Sequence, residues 1–361
     1  MYIKNLQLKN YRNYEEVSVD FEPGVNIIYG DNANGKTNLI EAIYMTATSK
    51  SHRLSKDNEV IRLGQDDGHI HLSFIKDGMD ETIDMHLKSR GKKAIAINKM
   101  SIKKLNELFG LLHVIMFSPE DLGLIKNGPK ERRRFIDLEL SQLNPMYMYY
   151  LSNYHKVLKQ RNKLLKDSRQ KETLMDVIDV FDLQLVDYGS RIIQMRDDFI
   201  NALNPVYHEK HQHISGGKED VHLVYEKNVE VVGYYDHLKQ RLARDLILKT
   251  TSVGPHRDDL KFVMNDIDLR KFGSQGQQRT AALSLKLSEI DLVKSQINDT
   301  PILLLDDVLS ELDHHRQQYL TSHLEDLQTF ITCTGVEDFV TSRMNKYQLY
   351  EVSDAVVTKM T

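Results

Sequence analysis

The sequence predicts an α/β protein, a parallel sheet with an antiparallel β flank and an inserted helical lobe, and three observations carry that prediction. The apolar run Val25–Tyr29 reads as a buried strand that ends in a glycine-bounded loop and continues into an amphipathic helix bearing Leu39, Ile40, Ile43 and Tyr44. Two later stretches, 70–83 and 94–102, alternate with period two around turn-forming residues. Between 129 and 205 the apolar spacing changes to that of helices.

Taken in order, Leu6 and Leu8, then Val17, Val19 and Phe21, alternate as two half-buried strands before the 25–29 run. The next two stretches form hairpins turning at Asp77-Gly78 and near Asn98-Lys99. Tyr147, Leu151, Tyr154, Leu158 and Leu165 make one helical stripe, broken by the polar residues 167–173. Leu174, Ile178, Phe181, Leu185, Tyr188, Ile192, Met195 and Phe199 then alternate steps of four and three, the seam of a helix packed on a partner helix, so an antiparallel helical hairpin is expected. After Ser215-Gly216-Gly217 sheet and helix signals resume, and Pro301 introduces the buried strand pattern 302–305, which ends in Asp306-Asp307.

The chain has 361 residues, 40% of them hydrophobic, enough for one large core or two modest ones. A formal net charge of −4 supplies no global positive field, so any contact with a polyanion must come from local patches. Cys333 is the single cysteine, which excludes an internal disulfide and fits a reducing, cytoplasmic setting. The first residues lack the pattern of a charged leader followed by an apolar stretch. The longest apolar segment, 108–117, is interrupted by Gly110 and His113 and falls short of the roughly 20 residues of a membrane span, so no membrane partner is expected.

The residues Gly30, Asp31, Asn32, Ala33, Asn34, Gly35, Lys36 and Thr37 match GxxxxGK[ST], a phosphate-binding loop. Its glycines let backbone N–H groups face phosphates at a helix start; Lys36 would reach the β and γ phosphates of ATP and the Thr37 hydroxyl would bind Mg²⁺. Four apolar residues followed by Asp306 and Asp307 look like the second nucleotide motif, one carboxylate for the metal and one for the attacking water. Asp306 lies 270 residues beyond Lys36, so a large insertion separates the two motifs.

Ahead of the acidic pair, Ser274, Gly276 and Gln277 stand in FGSQGQQR before a helix of small and apolar residues; an ordinary capped helix is the alternative to a phosphate-binding one. The block resembles the signature motif of ABC-type ATPases, and Ser310-Glu311-Leu312-Asp313 resembles their D-loop, in the superfamily's order. Across nearly its full length the chain resembles the RecF family of bacterial recombination-mediator ATPases, related to SMC heads. The resemblance is carried by LKNYRNY at 8–14, SPEDLGLIKNGPKERRRFID at 118–137, SVGPHRDD at 252–259, SQGQQR at 274–279 and LLLDDVLSELD at 303–313.

The resemblance implies an ABC-type P-loop head in two pieces, 1–130 and 250–361, with a helical lobe over 131–249. It implies Asp306 on the metal and Asp307 as general base where most relatives carry glutamate, hence weak, DNA-stimulated hydrolysis. It places Thr332-Cys333-Thr334 where the superfamily has a switch histidine, and makes Arg12 a candidate nucleotide contact, a surface arginine being the alternative. Glu120 and Asp121 fall near the superfamily's glutamine-bearing loop, with a plain helix-start pair as the alternative. The signature motif of one copy would meet ATP on another, giving an ATP-dependent homodimer on single-stranded and junction DNA, with RecR as partner and RecO and RecA in the pathway. Candidate DNA contacts are Lys50, His52, Arg53 and Lys56; Lys88, Arg90, Lys92 and Lys93; and Arg132, Arg133 and Arg134, each run being equally readable as a solvated face. The nucleotide-binding subunit of a membrane transporter and a non-hydrolysing ATP-gated scaffold are the alternative functions.

Overall fold

The computed structural model describes residues 1–53, 56–167, 171–297, 299–324, 326–335 and 346–360. They divide into two compact units, residues 1–121 with 289–361, and residues 122–288.

The first unit begins with β1 (Tyr2–Tyr11), β2 (Tyr14–Asp20) and β3 (Val25–Tyr29), followed by helix α1 (Lys36–Thr48). Four further antiparallel strands, β4 (Asp67–Lys76), β5 (Met79–Lys88), β6 (Ala94–Ile97) and β7 (Met100–Ser101), precede β8 (Val114–Phe117). The two expected hairpins are present. Asp77 and Gly78 both take positive φ, as do Asn98 and Lys99, the conformation that lets a two-residue turn follow the twist of its strands. Together they complete an antiparallel sheet in the order β2-β1-β4-β5-β6-β7.

The second unit holds α2 (Leu122–Lys126), α3 (Pro129–Leu143), α4 (Pro145–Lys166) and α5 (Lys171–Ser215), then β9 (Val221–Glu226) and α6 (Tyr234–Leu248). After these come β10 (Asp259–Met264), β11 (Ile267–Asp268), α7 (Leu269–Phe272) and most of α8 (Gln275–Ile297). Helices α4 and α5 form the expected antiparallel hairpin: Arg161 bonds Asp182 and, fourteen residues earlier on α4, Tyr147 bonds Arg196 fourteen residues later on α5. Ile178, Leu185, Ile192 and Phe199 of the seam are buried. Residues 168–170 of the polar break and the Leu174 side chain lie outside the described residues.

Some boundaries differ from expectation. Helix α5 runs through Pro205 to Ser215, because Asn204 exchanges hydrogen bonds with the backbone of Leu223 on β9 and Tyr207 is fully buried beyond it, packing the far end against a sheet. Residues 122–130 and 250–288, expected with the head, belong to the second unit, the latter because β10 pairs along its whole length with β9.

The chain returns to the first unit with β12 (Ile302–Asp306), α9 (His314–Thr321), β13 (Thr329–Cys333), β14 (Tyr347–Ser353) and β15 (Val356–Met360). Their sheet has the order β15-β14-β3-β13-β12-β8, parallel except for the β15 edge. Strands β12 and β13 are buried at every residue, as strands covered on both faces must be.

Candidate functional site

The carboxyl ends of β3, β12 and β13 bring the site together in the first unit. Strand β3 ends at the phosphate-binding loop, whose backbone is dictated locally: Gly30, Ala33 and Gly35 all have positive φ, and Gly35 forms the N-terminal boundary of α1. At Gly30 a side chain is also excluded by contact, since a Cβ there would lie 2.2 Å from the Val352 carbonyl oxygen on the neighbouring β14. The loop is braced from the β1–β2 turn. Asn13 Nδ2 donates to the Asn34 carbonyl (2.9 Å) and the buried Tyr14 hydroxyl to that of Gly35 (3.1 Å). Lys36 is 8% exposed, and its ammonium donates to the carbonyls of Gly30 (2.7 Å) and Asp31 (2.8 Å), folded into the curve of the loop.

Thr37 and Asp306 meet directly, the hydroxyl donating to Asp306 Oδ1 at 2.8 Å. The same oxygen accepts the Thr332 hydroxyl at 2.7 Å, while Thr332 Oγ1 accepts the Asp307 N–H at 3.0 Å. Thr332 is the register partner of Asp306 across β12 and β13, so one buried hydroxyl fixes both the carboxylate and the start of the turn that follows. Asp307 is exposed in the left-handed region (φ 53°), with the Ser310 hydroxyl on its carbonyl at 2.8 Å. Thr334, at the place of a switch histidine, is exposed. Asp313 caps α9, accepting the Arg316 N–H.

Beneath the loop, Glu41 on α1 is fully buried and accepts four hydrogen bonds: from Arg12 Nε (2.7 Å) and Nη2 (2.6 Å), from the Ser51 hydroxyl and from the Tyr11 hydroxyl (3.2 Å). Burial pushes the Glu41 carboxyl up, but the hydrogen bonds from Arg12 and Ser51 outweigh it and hold the group below the usual carboxylate range. Arg12 is therefore neither a plain surface arginine nor a free cation; its guanidinium ties the β1–β2 turn to α1.

His52, read from sequence as part of a basic surface run, instead has its side chain turned inward and only 8% exposed. Its ring packs edge-on against Tyr44, both ring nitrogens lack hydrogen-bond partners, and Nε2 lies 4.0 Å from Asp306 Oδ2. Burial lowers its pKa below the ordinary histidine value. Asp121 accepts the Ser118 N–H and closes the turn at Pro119, matching the plainer of its two readings.

In the second unit, Ser274 and Gln277 cap each other at the start of α8: the Ser274 hydroxyl accepts the Gln277 N–H at 3.2 Å and the Gln277 side-chain oxygen accepts the Ser274 N–H at 2.9 Å. Ser274 and Gly276 are exposed, so this helix start faces solvent. Of the 132–134 run, Arg132 is buried and Arg133 half-buried. Arg132 makes a bidentate pair with Asp259 (2.6 and 2.9 Å), and Arg133 donates to the Asp258 carbonyl. Arg196 joins Asp137 and Asp258, so the family-specific stretches 118–137 and 252–259 are bonded to each other as the polar core of this unit.

Sequence reading gave Glu41 and Tyr14 no role and named Thr332 only as part of the segment at the place of a switch histidine; the contacts of all three depend on the fold and carry no local sequence signal. Among the described residues, no helix is long and apolar enough to cross a membrane.

The family model "RecF/RecN/SMC N terminal domain" matches residues 2–358. The protein from Agathobacter rectalis named DNA replication and repair protein RecF is 54% identical over 352 residues, covering 98% of this chain and 97% of its own. Its namesake from Bacillus cereus is 44% identical, over 99% and 98%. Among solved structures, the recombination mediator protein RecF-ATP of the RecFOR pathway superposes with a TM-score of 0.92 at 34% identity, covering 100% of this chain and 98% of that one. The Smc head domain from Pyrococcus furiosus shares the fold alone, with a TM-score of 0.57 at 15% identity over 99% and 96% of the two chains. With an ABC-type head fold, a family model spanning almost every residue and relatives above half identity over nearly their whole length, this chain belongs to the RecF family of DNA replication and repair proteins.

Proposed function

We propose that this chain is an ATP-dependent DNA-binding protein of recombinational repair and replication, which closes as an ATP sandwich dimer on single-strand to double-strand junctions and reopens by slow hydrolysis. The observation that carries this reading is the junction of Thr37, Asp306 and Thr332 at the mouth of the phosphate-binding loop. Gly30 to Thr37 would wrap the phosphates, with Lys36 exchanging its loop carbonyls for phosphate oxygens and leaving the loop's own N–H groups to complete the cradle. A hydroxyl and a carboxylate already in contact are hard oxygen donors that fit Mg²⁺, so Thr37 and Asp306 would hold it, where it supplies charge neutralisation between the phosphates.

Asp307 would orient and deprotonate the attacking water. Its backbone is held by the Thr332 and Ser310 hydroxyls and its side chain is one methylene shorter than glutamate, which supports a weak rate, stimulated by DNA, rather than a fast one. Ser274, Gly276 and Gln277 would receive the γ phosphate of ATP on a second copy, which their exposed helix start supports. The RecFOR pathway in the name of the solved relative supports RecR as partner with RecO in the same pathway, and the family resemblance extends the reading to RecA downstream.

Light scattering of the wild type and Lys36→Met, without nucleotide, with ADP and with ATP, tests the mechanism when a fluorescent gapped DNA is added. Only the wild type with ATP should double in mass and gain DNA affinity. Mass and DNA binding indifferent to ATP would refute the clamp and favour the transporter-subunit or scaffold reading.

A further inference from the structure

In the first unit, the loop joining β5 to β6 and the segment after β7 form the two walls of a cleft of about 760 Å³. Lys88, Lys92, Lys93, Lys103 and Lys104 line it, and no aspartate or glutamate does. Buried Leu87 and Ile95 make its floor. Among the described residues no ion pair engages Lys88, Lys92, Lys103 or Lys104, and each of these four is exposed. The nearby Glu107 caps the turn by accepting the Lys103 and Lys104 backbone N–H groups and is not part of the lining. Lys93 donates to the Ser49 carbonyl at the end of α1, and Asn58 lines the cleft while its side-chain amide reaches the Ser89 carbonyl. The two basic runs that flank these contacts thus converge on one surface.

Four exposed ammonium groups without an ion pair among the described residues, gathered in one cleft on a chain of net charge −4, repel one another and make a local positive field that a polyanion would neutralise. The lining has no aromatic side chain on which bases could stack, so the chemistry recognised is a phosphodiester backbone, not exposed bases. We propose that this lysine cleft is a DNA-backbone site that seats the duplex arm of the junction, independently of sequence. The inference rests on the DNA-binding reading above and adds where, and through which part of the DNA, contact is made.

The test is fluorescence anisotropy of a labelled 30-base-pair duplex with ATP, titrated with KCl, on the full chain. The combined variant Lys88→Gln, Lys92→Gln, Lys103→Gln, Lys104→Gln should lose about 3–4 from the slope of log affinity against log salt, at ~0.9 per phosphate contact, and more than tenfold in affinity. The Lys103→Gln, Lys104→Gln pair should lose about half that slope, and the four-fold Lys→Arg variant should keep it. A control variant neutralising Lys130, Lys159, Lys163 and Lys166 should match the wild type. Binding of a fluorescent ATP analogue should be unchanged throughout, which separates loss of the site from loss of the fold. If the wild type binds duplex and the cleft variants bind with the same slope, the cleft proposal is overturned while the DNA reading stands. If the wild type binds neither duplex nor gapped DNA in any nucleotide state, the DNA reading fails and this proposal falls with it.

Discussion

Thr332 donates one hydroxyl hydrogen to Asp306 and accepts one N–H from Asp307, so a single side chain sets both residues proposed for metal binding and water activation. A hydrogen bond to a charged group contributes about 1.5–3 kcal/mol, and tenfold in rate corresponds to about 1.4 kcal/mol. Thr332→Val, which keeps the shape and deletes the hydroxyl, should therefore lower single-turnover ATP hydrolysis at least about tenfold. Nucleotide affinity should stay within about twofold, since the backbone cradle is untouched, and Thr332→Ser should restore the rate. A Val variant hydrolysing at the wild-type rate would remove Thr332 from the mechanism. The residue scale also shows what sequence can carry. The phosphate-binding loop is legible because its glycines, lysine and threonine are contiguous and their chemistry is local. Thr332 was legible only as the absence of a histidine, because its role comes from lying opposite Asp306 across two strands. His52 was misread because a basic run looks solvated in one dimension, whereas its ring is turned inward onto Tyr44 and Asp306.

Among elements, α1 carries the load of the site: its first residues are the end of the phosphate-binding loop, and one turn later Glu41 locks the helix to the β1–β2 turn through Arg12. Because the folded carboxyl sits below its ordinary pKa of about 4.3, the pair stabilises the protein fully above that value. The stabilisation is lost as the pH falls through the folded pKa and Glu41 takes up a proton. Glu41→Gln should lose about 2–4 kcal/mol in urea unfolding at pH 7, the cost of leaving a half-buried guanidinium without its counter-charge. The gap between wild type and variant should persist to pH 5 and narrow progressively as the pH falls below the ordinary carboxylate pKa; a gap constant down to pH 3 would show that the loss comes from packing and not from charge. Period-two hairpins and the heptad seam were legible because local spacing alone specifies them. The continuation of α5 past Pro205 was not, because Asn204 and Tyr207 hold that stretch through β9 and the buried core, partners that spacing along α5 does not announce.

At the scale of the whole molecule, the nucleotide loop lies in one unit and the exposed α8 start in the other, and the proposed clamp requires the second to serve ATP held by a different copy. That requirement has a consequence that single variants do not test. Lys36→Met disables the loop of its own chain but leaves its α8 start intact; Ser274→Arg does the reverse, placing a bulky cation at an exposed position at the cost of one helix cap. Each variant alone should hydrolyse no ATP. Mixed in equal amounts with DNA, they pair at random, half of the dimers are mixed, and each mixed dimer contains one complete site, so about a quarter of the wild-type rate should return if the two sites act independently. Activity should scale with the product of the two concentrations at low protein, because the complete site exists only in the dimer. If each chain instead completes its own site, mixing adds two inactive proteins and nothing returns, whatever the DNA or the concentration. Recovery on mixing therefore separates a face-to-face nucleotide clamp from a self-sufficient ATPase that merely associates.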